Sequence, residues 1–400
     1  LGLAVFTLGS AAAALAPGST TLILARALQG IGGAFVAPLS LTILSEIVSP
    51  ARRPIALAAW GGLSGLAIAI GPVVGGAITQ GISWHWIFWV NVPIGVITVA
   101  LSAVRLRESH GPDQALVLPG VILAGAGLVG IVWGATHGNG LGWTDPVVMG
   151  AIGLGAALVA AFIAWEARTA NPMLPLGLFR RRASVVANGI SFLMSFGMFG
   201  TIFLLSQFFQ VVQGLDPFES GLRVLPWTAA PAFVAPIGGI LAARMGPRPI
   251  LVAGLGLMAV GLGWLAVVTS VTVAFATLLP PFAICGAGMG LFFAPIANVV
   301  LSAVPKEDEG KASGANNTIR ELGGVFGVAV LAAIFSANGS YTTTQAYVDG
   351  VIPAVAAGAI VVALSAALAL ALPRLATFGR AVDASVSPSI TGGPVVEPAG

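Results

Sequence analysis

The chain has 400 residues, 57% of them hydrophobic and only 8% charged, with a formal net charge of +3 at pH 7 and a mean hydropathy of +0.99. Soluble globular chains carry about 25% charged residues, so this composition excludes an ordinary soluble enzyme. The basic residues are scattered among loops, which excludes a nucleic-acid footprint.

The apolar segments are long and continuous, not alternating strands of about ten residues. That pattern predicts an all-α integral membrane protein, since a helix satisfies its own backbone in lipid. A lone cysteine, Cys285, rules out an intrachain disulfide and a cysteine-rich metal site; it reads as a small apolar helix residue. The chain opens at Leu1 inside an apolar run with no basic stretch before it, so it does not read as a signal peptide. The expectation is a fragment of a longer protein.

Twelve candidate spans follow in order, at about 1–16, 20–45, 55–79, 84–104, 116–136, 146–167, 184–211, 218–243, 248–269, 272–303, 311–337 and 351–373. The tail, 374–400, is rich in Ser, Pro and Gly and reads as disordered.

The second span carries Arg26, which costs at least ~2.5 kcal/mol at mid-membrane unless it finds a partner, water or the interface. Gln29 and Gly33 share its helical face, while Gly30, Ala34 and Ala37 make a small-residue face suited to close helix packing. Arg26 lies only about 9 Å into the helix, so snorkelling to the interface competes with a role as a fixed charge beside a carboxylate. In the third span Gly71 and Gly75 have GxxxG spacing, as do Gly61 and Gly65, and Pro72 bends the helix. Tight packing accounts for this whatever the function; a bendable, sealed gate is the added reading, with Gly76 beside it.

Further along, Asn188, Gln207 and Gln210 on the seventh span are candidate cavity residues. Phe192, Phe196, Phe199 and Phe203 offer either an adaptable cavity wall or a lipid-facing stripe. Asp216, Glu219 and Arg223 read as a solvated helix start. On the eleventh span Asn316 and Asn317 precede Arg320 and Glu321 by one turn. Arg320 lies roughly 14 Å in from its end. The pair Arg320 and Glu321 reads either as a static ion pair or as a functional site, and Glu321 is the best visible carboxylate for a proton or a cationic substrate. Glu46 reads as an interface charge, and His85, His110 and His137 have no metal-ligand spacing, so no metal or cofactor is expected.

Loop charges set the topology. Arg52, Arg53, Arg105, Arg107, Arg168, Arg180, Arg181, Arg182, Arg244, Arg248, Lys306 and Lys311 fall in one alternating set of loops, with Arg374 and Arg380 in the tail on the same side. The other set of loops holds none, which places the basic set and the C-terminus in the cytoplasm. An internal repeat also shows: Gly33-Ala34-Phe35-Val36-Ala37-Pro38 of the second span resembles Gly290-Leu291-Phe292-Phe293-Ala294-Pro295 of the tenth. Aligning the two as equivalent helices of six-helix halves leaves two helices missing before Leu1 and two extra helices, 116–167, between the halves. The expected divisions are 1–104, a first half lacking two helices; 105–183, a linker with two inserted helices; 184–373, a second six-helix half; and the tail 374–400.

Leu22-x-x-x-Arg26-x-x-Gln29-Gly30-x-Gly32, Gly71-Pro72-Val73-Val74-Gly75-Gly76 and Trp86-Ile87-Phe88-Trp89-Val90-Asn91-Val92-Pro93-Ile94-Gly95 resemble, in this order, motifs of the major facilitator superfamily in its 14-helix drug:proton antiporter branch (EmrB/QacA type). Pro175-Leu176-x-Leu178-Phe179-Arg180 and Asn317-Thr318-Ile319-Arg320-Glu321-Leu322-Gly323-Gly324 are similar too. A departure is Ala243, where the family's loop motif has an aspartate.

The resemblance implies a major facilitator fold of two pseudo-symmetric halves with two extra helices between them, twelve of fourteen helices being present. It implies a bacterial inner-membrane, proton-coupled multidrug efflux transporter that exports hydrophobic or cationic drug-like molecules by alternating access. Arg26, Arg320 and Glu321 would then serve proton coupling. Gln29, Asn188, Gln207, Gln210, Asn316 and Asn317 would line the cavity, and Gly30, Gly71, Pro72, Gly75 and Gly76 would serve gating and packing. Partners would be the substrates, protons, the bilayer and a periplasmic adaptor protein, with no nucleic acid. A specific metabolite, peptide or siderophore is the alternative cargo. A non-transporting sensor and a membrane enzyme are rivals from other classes; the spans hold no nucleophile–base pair, and no GxxxxGK[ST] loop is present for ATP.

Overall fold

The computed structural model describes residues 1–48, 63, 67, 70–105, 118–169, 172, 174, 176–305 and 308–373, without the side chains of 37, 38, 41, 42 and 45–47. Expectations for Ala37, Glu46, Arg52, Arg53, Gly61, Gly65, Arg107, His110, Pro175, Lys306, Arg374, Arg380 and the tail 374–400 lie outside the described side chains or residues. The described residues are helical throughout, with short turns.

The helices are α1 (Gly2–Ala14), α2 (Ser19–Ile47), α3 (residues 70–81), α4 (Trp86–Trp89), α5 (Asn91–Arg105), α6 (Leu118–Leu141), α7 (Pro146–Glu166), α8 (Arg182–Val211), α9 (Pro217–Met245), α10 (Pro247–Val268), α11 (Phe275–Ser302), α12 (Glu309–Asn338) and α13 (Thr344–Ala369). A short 3₁₀ turn, Leu176–Arg180, leads into α8. Among the described residues nine helices are long and apolar enough to cross a membrane: α4 with α5 taken together, and each of α6 to α13. The protein is a multi-pass membrane protein.

Some boundaries differ from the sequence reading; the fifth span, for one, runs on to Leu141, past the expected 136. The first span shortens to the 13 residues of α1. Within the fourth a turn at Val90 separates α4 from α5, where Pro93 has no N–H to donate to the carbonyl of Trp89, yet Trp86–Arg105 still makes one span close to the expected 84–104. The last helix begins at Thr344, not 351, because the Thr343 hydroxyl caps the Ala346 N–H at 3.1 Å and lets the polar turn before Val351 coil.

Helices α8 to α13 form one bundle. Helix α8 packs on α12 and α13, α10 on α11 and α13, and α11 on α9. Phe208, Trp227, Leu255, Phe282, Phe292 and Tyr347 are fully buried within it. Lipid tails are as apolar as leucine, so close van der Waals contact holds helices together in a membrane. Glycines permit that contact. A Cβ on Gly327 would strike the Phe196 backbone, and one on Gly288 would strike Gly254.

The remaining helices surround this bundle in two groups. Helix α1 packs on α2 and α5. Helix α6 pairs with α7, and it reaches the bundle through α12. Between α3 and α9 the backbones touch: a Cβ on Gly76 would meet Pro217 and Phe218, and one on Gly221 would meet Pro72. Gln80 completes that seam by donating to Asp216 at 2.8 Å. Exposed Ile94, Ile97, Leu101, Val129, Val147 and Leu154 cover the outside of α5 to α7, as expected of surfaces facing acyl chains.

Candidate functional site

Arg26 starts a polar chain that crosses from α2 to α1. Its guanidinium donates to Gln29 Oε1 at 2.6 Å, and Gln29 Nε2 donates to Ser10 Oγ at 2.5 Å. Gln29 and Ser10 are buried, whereas Arg26 is exposed and lies 5.7 Å from the centre of the Phe88 ring. The expected pairing of Arg26 with Gln29 on one face is present. Gln29 faces α1, where it meets Ser10 and Gly9.

The packing face of α2 is also rotated from the expected one. Gly30 and Ala34 are exposed, and a Cβ on Gly30 would meet nothing within 4 Å. Helix α1 docks instead on Ala25, Gln29 and Gly32. A Cβ on Gly32 would run into the Phe6 backbone, and Gly9 in turn admits the backbone of Gln29. The reason is reciprocal fit: glycines of α1 lie against Gln29 and Phe35 of α2, and Gly32 of α2 lies against Phe6 of α1.

In α3 the same correction applies. Gly71 and Gly75, the pair with GxxxG spacing, have open space where a Cβ would point. Pro72 and Gly76 make the contact, against Gly221, Pro217 and Phe218 of α9.

The polar residues of α8 and α12 pair with each other across the bundle. Asn316 Nδ2 donates to Asn188 Oδ1 at 2.9 Å and to Ser191 Oγ at 3.0 Å. Asn188 Nδ2 donates to the Ser184 carbonyl at 3.0 Å. Asn188 and Ser191 are buried, and these bonds fasten α8 to α12. Gln207 accepts the Tyr341 hydroxyl at 2.8 Å, tying the α12–α13 connection to α8. Burial pushes the Tyr341 phenol above its ordinary value of 10.0, so it remains a donor at neutral pH. Gln210 is exposed. Phe192 and Phe196 are half-buried against α12, while Phe199 and Phe203 are 39% and 41% exposed.

Arg320 and Glu321 form an ion pair of 3.1 Å on α12. Arg320 also donates to Asn317 Oδ1 at 2.7 Å and lies 5.7 Å from the centre of the Phe293 ring of α11. The Glu321 side chain is 59% exposed. It lines a cleft with Thr136 of α6 and Phe199 of α8. A second arginine, Arg223, lies 4.4 Å from the centre of the Phe275 ring, and Asp216 caps α9 through the Glu219 N–H. That capping agrees with the helix-start reading of Asp216, Glu219 and Arg223.

One buried carboxylate escaped the sequence reading. Glu166 ends α7, is 2% exposed, and accepts the Leu174 N–H at 2.8 Å through Oε2, while Oε1 has no partner among the described residues. Lys311 donates to the nearby Pro172 carbonyl at 3.4 Å, and Arg181 to Ala303 at 2.8 Å. The segment after α7 is therefore fastened to the ends of α7, α11 and α12. Glu166 sits at the end of a span, where a carboxylate looks like an ordinary interface charge in sequence.

This arrangement has solved counterparts. A POT family transporter crystallised in complex with 5-aminolevulinic acid superposes with a TM-score of 0.65 at 13% identity, over 92% of this chain and 80% of that one. The two chains therefore share one all-helical fold. The model of the Major Facilitator Superfamily matches residues 1–328, and the chain belongs to that superfamily. It is 33% identical over 339 residues to the multidrug resistance protein Stp of Mycobacterium tuberculosis, and 29% identical over 340 residues to the tetracenomycin C resistance and export protein of Streptomyces glaucescens. Each alignment covers 84% of this chain, which spans 63% of the length of either relative.

Proposed function

We propose that this chain is the larger part of a proton-coupled multidrug exporter of a bacterial cytoplasmic membrane, with its C-terminus in the cytoplasm. The observation that carries the reading is the Arg320–Glu321 pair: a half-exposed carboxylate on a membrane-spanning helix, with its countercharge held by other partners as well. A proton or an organic cation can each replace Arg320 at such a carboxylate, and only one can do so at a time. That competition is the elementary step of antiport. The driving force suffices, at about 2.3 kcal/mol per charge per 100 mV and ~1.36 kcal/mol per pH unit for each proton. The relatives named for drug resistance support the cargo class.

In this reading α1 to α5 belong to a first half and α8 to α13 make the second, with α6 and α7 inserted between them as in the 14-helix branch. The packing of α6 on α7, with contact to the bundle through α12, supports an insertion. The α3–α9 seam at Pro72, Gly76, Gly221 and Gln80–Asp216 joins the halves, and rocking about it would alternate access. Arg26 would contribute a fixed positive charge near the proton path, its place secured by Gln29 and Ser10.

One relative named for export of a single compound, tetracenomycin C, favours a second reading with a narrower cargo. A drug-susceptibility panel on cells expressing the full-length gene, with and without a protonophore, separates the two. Broad resistance that the protonophore abolishes is the expected outcome. Glu321→Gln should lose cation export, and Arg26→Ala should lose drug-induced proton release in inside-out vesicles while still inserting. Unchanged efflux from both variants would remove the coupling role from these residues.

A further inference from the structure

An open cleft lies beside the contact between α6 and α12. A cleft of about 340 Å³ lies between Thr136 of α6, Phe199 of α8, and Glu321, Gly324, Val325 and Val328 of α12. That volume is at the small end of the range for ligand sites, about 300–1,000 Å³. Glu321 is the one carboxylate among the lining residues. The Thr136 hydroxyl is satisfied inside its own helix by the carbonyls of Val132 and Trp133, so it asks nothing polar of the cleft. The remaining lining is two valines, an aromatic ring and a glycine.

Two features suit this cleft to a charged guest. Its α6 wall is held in place. Asn139, one turn beyond Thr136, donates to the Ala329 carbonyl of α12 at 3.0 Å and accepts the Trp143 indole N–H at 3.1 Å. Ala329 in turn lies two turns beyond Glu321. Arg320, although paired with Glu321, is absent from the cleft lining and keeps Asn317 and the Phe293 face as partners. A cation entering beside Glu321 therefore displaces Arg320 from the carboxylate without leaving the guanidinium unpaired, which keeps the exchange inexpensive.

We infer that α6 supplies one wall of a binding site for amphipathic organic cations. The positive group sits at Glu321, and the apolar body lies between Phe199, Val325, Val328 and Thr136. As a step in export this rests on the proposed function, but binding can be measured without transport.

The test uses the full-length protein in nanodiscs with ethidium as the probe, followed by fluorescence anisotropy. Thr136→Trp, which fills the cleft, and Glu321→Gln, which removes its charge, should each weaken ethidium binding at least tenfold. Val147→Trp, on an exposed face of α7, should not. In a parallel measurement Thr136→Cys should be shielded from maleimide by ethidium, and that shielding should vanish when Glu321→Gln is added. This second arm keeps the test decisive if Thr136→Trp fails to fold.

Wild-type affinity in folded Thr136→Trp, or no shielding of Thr136→Cys, overturns the site. Shielding that survives Glu321→Gln means an apolar occupant such as an acyl chain, and also overturns it. Tight, cleft-dependent binding by a protein that confers no resistance would instead overturn the exporter reading and leave the site standing.

Discussion

Removing the amide of Asn316 tests whether polar links or apolar packing hold α8 to α12. Asn316→Ala deletes the donor to Asn188 Oδ1 at 2.9 Å and to Ser191 Oγ at 3.0 Å. The two acceptors do not suffer equally. Ser191 can turn its hydroxyl to a carbonyl of its own helix, as serines in membrane helices do. Asn188 keeps its bond to the Ser184 carbonyl through Nδ2, but its Oδ1 is left buried with no donor. One orphaned buried acceptor costs about 1–3 kcal/mol. Interhelical hydrogen bonds in a membrane average about 0.6 kcal/mol and reach about 1.7, because the unfolded chain also finds partners. The expected loss for Asn316→Ala is therefore about 1–2 kcal/mol.

A double-mutant cycle with Asn188→Ala should show a coupling of about 0.6–1.7 kcal/mol. The assay is reversible unfolding in mixed micelles or steric trapping in bicelles. A coupling within about 0.3 kcal/mol of zero, the ordinary error of additivity, would mean that the hydrogen bonds contribute nothing and the glycine contacts alone hold the helices.

Three further outcomes follow from the same geometry. Gly32→Ala should lower the melting temperature, since its Cβ meets the Phe6 backbone, while Gly30→Ala should hold or raise it by the helix-propensity gain of about 0.5–1 kcal/mol; the reverse order in a thermal melt would refute the α1–α2 contact. Asp216→Ala removes a helix cap worth ~1 kcal/mol together with the Gln80 bond, so it should lower the melting temperature by more than Gln80→Ala does; an equal fall in both would show that the cap adds nothing. Glu166→Ala orphans the Leu174 N–H at about 1–3 kcal/mol, whereas Glu166→Gln keeps an acceptor there and spares burial of a charge; equal destabilisation of both variants would show that the carboxylate itself is required.

Most of the fold was legible in the sequence because lipid leaves few choices. Long apolar runs must become helices, and the helical class could be read from hydropathy alone. Local pairs were legible too, since one turn of helix brings Arg26 to Gln29 and Arg320 to Asn317. Motif order along the chain identified the superfamily before any contact was known. What hydropathy could not supply was the rotation of each helix about its own axis. Gly30, Gly32 and Gly33 are equivalent in composition, yet only the backbone of Phe6 decides that Gly32 is the one that must stay small.

The same limit separates the two kinds of polar residue. Sequence determined that Asn188, Gln207, Gln29 and Asn316 sit in apolar spans and therefore need partners. Tertiary structure decided that Asn316 donates to Asn188 and Ser191, that Gln207 receives the Tyr341 hydroxyl, and that Gln29 donates to Ser10, so that these residues link separate parts of the fold. Glu321 is the converse case. Its neighbour Arg320 was visible in the chain, but only packing brings Thr136 beside it from a helix 185 positions earlier in the numbering. A helix repeats every ~3.6 residues, so sequence determines which side chains share a face. Which helix that face meets depends on contacts between distant segments, and no periodicity encodes those.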